Sequence, residues 1–439
     1  MKLATDVLAL DGALGKKTIS KVMWRILPIT FFLFVVSYLD RVNLGYAALQ
    51  MNKELALSSE AFGFAAGIFF VGNLLFEVPS NIIAKRFGAR IWLARIIFCW
   101  GIVAVLTAFV QTATQLYILR FLLGVAEAGF YPGVIFYFSY WFRERERAFA
   151  VAVFSSAVPV TYLFGAPIST QIMQHMTAFN ISGWRWMLFL EALPALVGGL
   201  LCVLCLTDSP AKAKWLNKDE KAWLESELER DVVNNKGVRH LSNWQALTNP
   251  AILLMALIYF LTQAGGVGVS YWLPQIIRGL GKTLSLTEIG YISAFPYVFT
   301  AVISIVWAKF SDRYNERKKF AAVGLILAAV GLCLSAVSPD PIVIYVGIAI
   351  SLTCGYAMHA PFFSMLTRVV SRPTVAVASA VIVSIGNTGG FFGTWCIGAA
   401  KRITGNDHGG FYILALCLVV GGILILVIKS KPSTSVVKN

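Results

Sequence analysis

Charge is what this chain has least of. Only 13% of its 439 residues are Asp, Glu, Lys or Arg, against roughly a quarter in a soluble domain, which excludes a large water-facing surface. Polar stretches are few, and the longest, 207–249, leaves little room for an added signalling domain. No Walker-type glycine loop, H-E-x-x-H helix or nucleophile elbow occurs, so nothing indicates a pump or an enzyme, and no cofactor is expected. The seven cysteines all fall in apolar stretches. Cys202 and Cys205 have the spacing of a redox or metal pair, but no second pair or nearby histidine joins them. They read as small apolar fillers. The first twenty or so residues are polar and mixed, without a small-residue cleavage site. The first apolar segment therefore reads as a retained span.

What is present is hydrophobic, at 58% of residues. Twelve apolar runs have the length that crosses a bilayer. Their approximate limits are 24–47, 60–83, 90–110, 115–139, 148–171 and 184–206, then 250–276, 287–309, 319–337, 341–366, 374–398 and 411–429. The expected fold is an all-α membrane protein of twelve transmembrane helices in two six-helix bundles, at 24–206 and 250–429. Cytoplasmic segments are expected at 1–23, 207–249 and 430–439. Within the central one, "NKDEKAWLESELERDVV" reads as an exposed helix leading into a flexible stretch.

The net charge of +15 raises the question of nucleic acid, and its distribution answers it. With the N-terminus cytoplasmic, 29 of the 37 Lys and Arg fall in cytoplasmic segments, and only Lys53, Lys282, Lys401 and Arg402 lie outside. That asymmetry places both termini inside by the positive-inside rule and excludes a nucleic-acid partner. A repeat supports the six-plus-six division. "SNIIAKRFGAR" (80–90) follows the second span and "AKFSDRYNERK" (308–318) the eighth, with Arg86 and Arg313 in the same register. Two like halves that rock about a central site are how many secondary transporters alternate access.

An ionised side chain at the bilayer centre costs at least ~2.5–3.5 kcal/mol, so each needs a reason to be there. Asp40 and Arg41 are adjacent in "SYLDRVNLG" but point about 100° apart on a helix, so their partners must lie on other helices. Arg120 and Glu127, seven residues apart, share one face of the fourth span at roughly 10 Å separation. Two acids and two bases then converge in the first half, facing a wet cavity rather than lipid. Two readings stand: a fixed ion-pair network stapling two helices, or a working site in which Arg41 binds a carboxylate and Asp40 or Glu127 exchanges a proton.

The two repeat loops resemble the signature loop of the major facilitator superfamily, G-x-x-x-D-R-x-G-R-[KR]. The second copy keeps Asp312 and Arg313. The first keeps Arg86, Gly88 and Arg90 but has Lys85 in place of Asp, which questions the usual Asp-to-helix contact there. "SYLDRVNLG", "RFLLGVAEAGFYPG" (120–133), "GWRWMLFLEALPA" (183–195) and "DSPAKAKWL" (208–216), in order and at the right spans, resemble the anion:cation symporter family. That branch includes permeases for sugar acids, tartrate, phthalate and hydroxyphenylacetate. The resemblance implies anion recognition at Arg41, coupling at Asp40, Arg120 and Glu127, and a substrate-facing Asn in the eleventh span, here Asn387.

Gln263 and Ser364 are further neutral candidates in the second half, each as readily an interhelical hydrogen bond as a ligand contact. Tyr38, one turn before Arg41, lines the same face, and Asn73 stands where related permeases often carry Tyr. "FRERER" (142–147) reads as a solvated cytoplasmic loop, Glu191 as a structural acid near the end of the sixth helix, and His359 as more structural than functional. The expectation is a monomeric, proton-coupled symporter of a small organic anion in the bacterial inner membrane. The alternatives are a proton-coupled antiporter of the multidrug type and a transporter-like sensor without net flux.

Overall fold

A computed structural model describes residues 2–234, 245, 248–281, 283–369 and 375–428. The tail expected at 430–439 and part of the central segment lie outside the described residues. Among the described residues, twelve helices are long and apolar enough to cross a membrane. In the first half these are α1 (Lys2–Glu54), α2 (Ser59–Phe87), α3 (Ala89–Thr107), α4 (Ala113–Ser139), α5 (Glu144–His175) and α6 (Gly183–Cys205). In the second they are α7 (Pro250–Leu280), α8 (Leu286–Tyr314), α9 (Arg317–Val337), α10 (Pro341–Leu366), α11 (Val377–Thr404) and α12 (His408–Val427). A further helix, Lys218–Asn234, lies in the connector between the halves.

The helices start where polar caps meet backbone amides that lipid cannot satisfy. Ser58, Thr112 and Asn249 each accept an amide of the first turn through the side chain, and Ser285 and Glu288 form a capping box. Three spans that carry candidate residues are broken within the membrane, α10 among them at Met358. α4 is interrupted after Glu127, where Gly129 takes φ 86° and a Cβ would sit 2.4 Å from Ser80 Oγ. α11 is interrupted after Asn387, before a second segment starting at Gly389.

On the outer side the halves meet backbone to backbone, and glycine allows it. A Cβ on Gly63 of α2 would lie 2.5 Å from the Thr394 carbonyl of α11. One on Gly45 of α1 would lie 2.7 Å from that of Tyr271 in α7, and one on Gly290 of α8 would lie 2.0 Å from Thr170 Oγ1 in α5. Small residues at such crossings let helices approach closely in the membrane. Cross-half polar links on the same side join Asn52 to Gln275 (3.2 Å), Gln174 to the Thr287 hydroxyl (2.8 Å) and Arg402 to Glu60. The outer entrance is therefore shut.

The cytoplasmic face corrects one expectation. "FRERER" is not simply a solvated loop: Arg143 is bonded to Glu146 (2.6 Å) and to Glu227 of the connector helix (2.7 Å). Arg145, which reaches Glu146 at 3.1 Å, is by contrast 83% exposed. The connector helix docks across the loop with Arg143 over Trp223 (5.0 Å), and the segment leading into it is held by Trp141 stacked on Trp215 (5.3 Å). It also grips the cytoplasmic extension of α1, where Lys21 meets Glu220 at 2.5 Å and Gly15 lies against the Trp223 ring. Residues 12–23 thus continue α1 as helix. The carboxylate missing from the first signature loop is supplied from elsewhere: Asp208, just past α6, accepts the Arg90 amide (3.3 Å) at the positive start of α3. In the second loop Asp312 faces Arg317 (3.4 Å), while Arg86 and Arg313 are exposed.

Candidate functional site

The buried charges of the first half come together between α1, α3 and α4, on the side facing α7. Asp40, Arg120 and Glu127 are 4%, 2% and 3% exposed. Glu127 sits at the break in α4 and receives two donors on one oxygen, the Arg41 guanidinium at 2.5 Å and the Ser37 hydroxyl at 2.7 Å. Ser37 and Arg41 are one turn apart on α1, so a single face of that helix presents both. Arg41 also lies over the rings of Tyr38 and Phe69, each 4.9 Å away. Its Nε is buried without a partner.

Asp40 and Arg120 do not pair as the four-charge picture anticipates. The Asp40 carboxylate accepts Trp100 Nε1 of α3 at 2.7 Å, whereas Arg120 donates to the Asp40 backbone carbonyl at 3.4 Å. Arg120 also reaches across to the Tyr271 hydroxyl of α7 at 3.4 Å, which ties the halves together below the closed outer seam. A cation buried this deeply is held by neutral acceptors and by the Phe69 ring, 5.2 Å away.

The second half contributes neutral groups. Gln263 of α7 donates to Asn387 of α11 at 3.2 Å, so two candidates prove to be one hydrogen-bonded pair. Beside them Gly266 opens on space, with nothing within 4 Å of where a Cβ would stand. Ser364 is not with them. Its carbonyl accepts Arg317 at the start of α9 at 3.0 Å, which places it at the cytoplasmic rim. Asn73 of α2 is half-buried against Gly124 of α4. His359 packs among Tyr259 and Tyr356 and bonds the Tyr356 carbonyl at 3.0 Å.

Glu191 corrects another expectation: it lies in the outer part of α6, which runs Gly183–Cys205, rather than near that helix's end. There it accepts the Ser169 hydroxyl at 2.7 Å. A cavity of about 500 Å³ opens at the outer ends of α1 and α6, lined by Gln50, Lys53 and Glu54. It is remote from the buried charges, and Glu54 is already committed to Trp184 (2.7 Å) and Arg185 (2.9 Å). This is a helix-end staple.

The sequence reading missed Ser37, Trp100, Tyr271 and Glu77. The first three carry no charge, and in an apolar run they are indistinguishable from packing residues. Glu77 was detectable as a carboxylate inside the second span, by the same rule that flagged Asp40.

The family model described as Major Facilitator Superfamily matches residues 30–394 and 280–439. A protein of Agrobacterium vitis, provisionally named a tartrate transporter, is 43% identical over 95% of this chain and 93% of its own. The quinolone resistance transporter of Acinetobacter baumannii is 33% identical over 95% of this chain and 96% of its own. Among solved structures, the inward-open xylose transporter from E. coli superposes with a TM-score of 0.74 at 15% identity, covering 94% of this chain and 98% of that one.

Proposed function

The chain belongs to the major facilitator superfamily, a family of transporters and not enzymes, and on that premise we propose that it carries a small organic anion inward together with protons. The cargo is a hydroxy-dicarboxylate such as tartrate, a sugar acid or an aromatic carboxylate. The Agrobacterium relative's name supports the first of these. The observation that carries the reading is the Arg41–Glu127 pair, in which one carboxylate occupies the cation an anionic substrate would need.

An incoming carboxylate and Glu127 compete for Arg41. A proton delivered to Glu127 removes that competitor and releases the guanidinium, so anion and proton are taken up together. Loss of the proton to the cytoplasm restores the ion pair and expels the anion. Asp40, held by Trp100, and Arg120, held by Tyr271, transmit the state of this pair to α3 and α7. Tyr38, Asn73, Gln263 and Asn387 bind the remainder of the substrate, with Ser364 on its exit path. Arg86, Gly88, Arg90, Asp312 and Arg313 act in the cytoplasmic gate. The protein works as a monomer in the bacterial inner membrane.

The test is uptake of a panel of labelled carboxylates into proteoliposomes, with and without an inward-directed proton gradient. Accumulation driven by the gradient supports symport. Flux indifferent to it reduces the protein to a uniporter or exchanger. The Acinetobacter relative favours a second reading, proton-coupled export. Quinolone efflux against a gradient, with no carboxylate transported, would establish that one instead.

A further inference from the structure

Glu77 is a membrane-embedded carboxylate that the transport reading above leaves idle. It lies one turn beyond Asn73 on α2, toward the cytoplasm, and hydrogen-bonds Ser384 of α11. Ser384 is in turn one turn from Asn387, which Gln263 holds. Two polar pairs, Asn73 with Glu77 and Asn387 with Ser384, thus line α2 and α11, and Arg41 is the cation whose field Glu77 feels. Glu77 Oε2 is buried and has no hydrogen-bond partner among the described residues.

A carboxylate oxygen withdrawn from water without a donor forfeits its hydration for nothing, so such an atom points to a donor that arrives from outside the protein. The donor is not a carboxylate, which like charge repels and Arg41 attracts. A hydroxyl fits: it donates a short, charge-assisted bond to a carboxylate, and it sits a few ångströms from the acid group of any hydroxy acid. We propose that Glu77 accepts a hydroxyl of the bound anion and is the residue that selects hydroxylated carboxylates over their deoxy analogues. This rests on the reading that an organic anion binds at Arg41.

The experiment is competition binding to the solubilised full-length protein by tartrate, malate and succinate, which share charge and chain length but differ in hydroxyl count. Wild type should prefer tartrate to succinate. In E77Q that preference should shrink by about tenfold, the worth of one hydrogen bond to a charged group, while succinate affinity stays within about twofold. S384A removes the link across the halves but keeps the acceptor, so it should retain the preference. An equal loss for all three ligands in E77Q, or the same narrowing in S384A, would make Glu77 a structural link and overturn the assignment. Should E77Q not accumulate, E77D withdraws the oxygen by one methylene and is judged the same way. If wild type binds none of the three acids, the same comparison is made between a sugar acid and its deoxy analogue; if it binds no organic anion, the organic-anion reading fails and takes this inference with it. If it binds them and E77Q leaves the ratio alone, only the inference fails.

Discussion

Replacing Glu127 by Gln separates the competition for Arg41 from every other property of the site. In the native protein the two groups meet at 2.5 Å and Glu127 is 3% exposed, whereas the Arg41 side chain retains 16% exposure. Unit charges about 4 Å apart at an effective dielectric of about 20 attract by roughly 4 kcal/mol. Water around Arg41 screens part of that, leaving about 1–2 kcal/mol for an anion to displace. E127Q should therefore bind the anion roughly 5–30-fold tighter than wild type. It should also bind it without taking up a proton, because the group that accepts one is gone. The free variant should melt at lower temperature, since a buried guanidinium has lost its partner, and ligand should restore more stability to it than to wild type. Isothermal calorimetry in two buffers of different ionisation enthalpy reads affinity and proton uptake together. Weaker binding in E127Q, or undiminished proton uptake, would refute the competition.

Other consequences are independent of the cargo. Gly63→Val on α2 places a branched side chain where a Cβ already falls 2.5 Å from the Thr394 carbonyl. It should hold the outer entrance open, which outer-side cysteine labelling at Thr394→Cys would report as faster modification than in the Gly63 background. Gly124→Ala puts a methyl 2.0 Å from the Phe69 carbonyl between α2 and α4, and should lower thermal stability by about 1–3 kcal/mol of overpacking; an unchanged melting temperature would contradict that packing. Burial alone would raise the Glu220 carboxyl, but Lys21 and the Asn217 amide outweigh it and hold it below its ordinary 4.5. Docking of the connector helix is therefore fully supported above that value and weakens as pH falls through the depressed one. Hydrogen exchange across 218–234 should show lost protection on acidification, and Lys21→Met should show it already at neutral pH.

Twelve spans were legible because a bilayer demands about twenty apolar residues at a time, and local sequence answers that demand directly. Asp40, Arg41, Arg120 and Glu127 were legible for the complementary reason, as charges where charge is costly. Their pairing was not legible. Helical spacing puts Arg120 and Glu127 on one face, but only the tertiary arrangement brings Trp100 of α3 to Asp40 and leaves Arg120 to a backbone carbonyl and Tyr271. "FRERER" was misjudged for a different reason. Its charge density looks like a surface bound for water, and so does that of "KDEKAWLESELERD". Their signs are complementary across more than seventy residues, and where they meet Arg143 and Glu227 are largely withdrawn from solvent. Local composition records that both segments are polar and says nothing of their meeting.

The docked connector has a mechanical consequence. Every partner named for it, Gly15, Lys21 and Arg143, belongs to the first half. The connector is therefore ballast on one rigid body rather than a hinge pin between two. When the halves tilt, it travels with the first. A covalent staple from the connector to α1 would leave the stroke intact, whereas the same staple to α8 or α10 would arrest it.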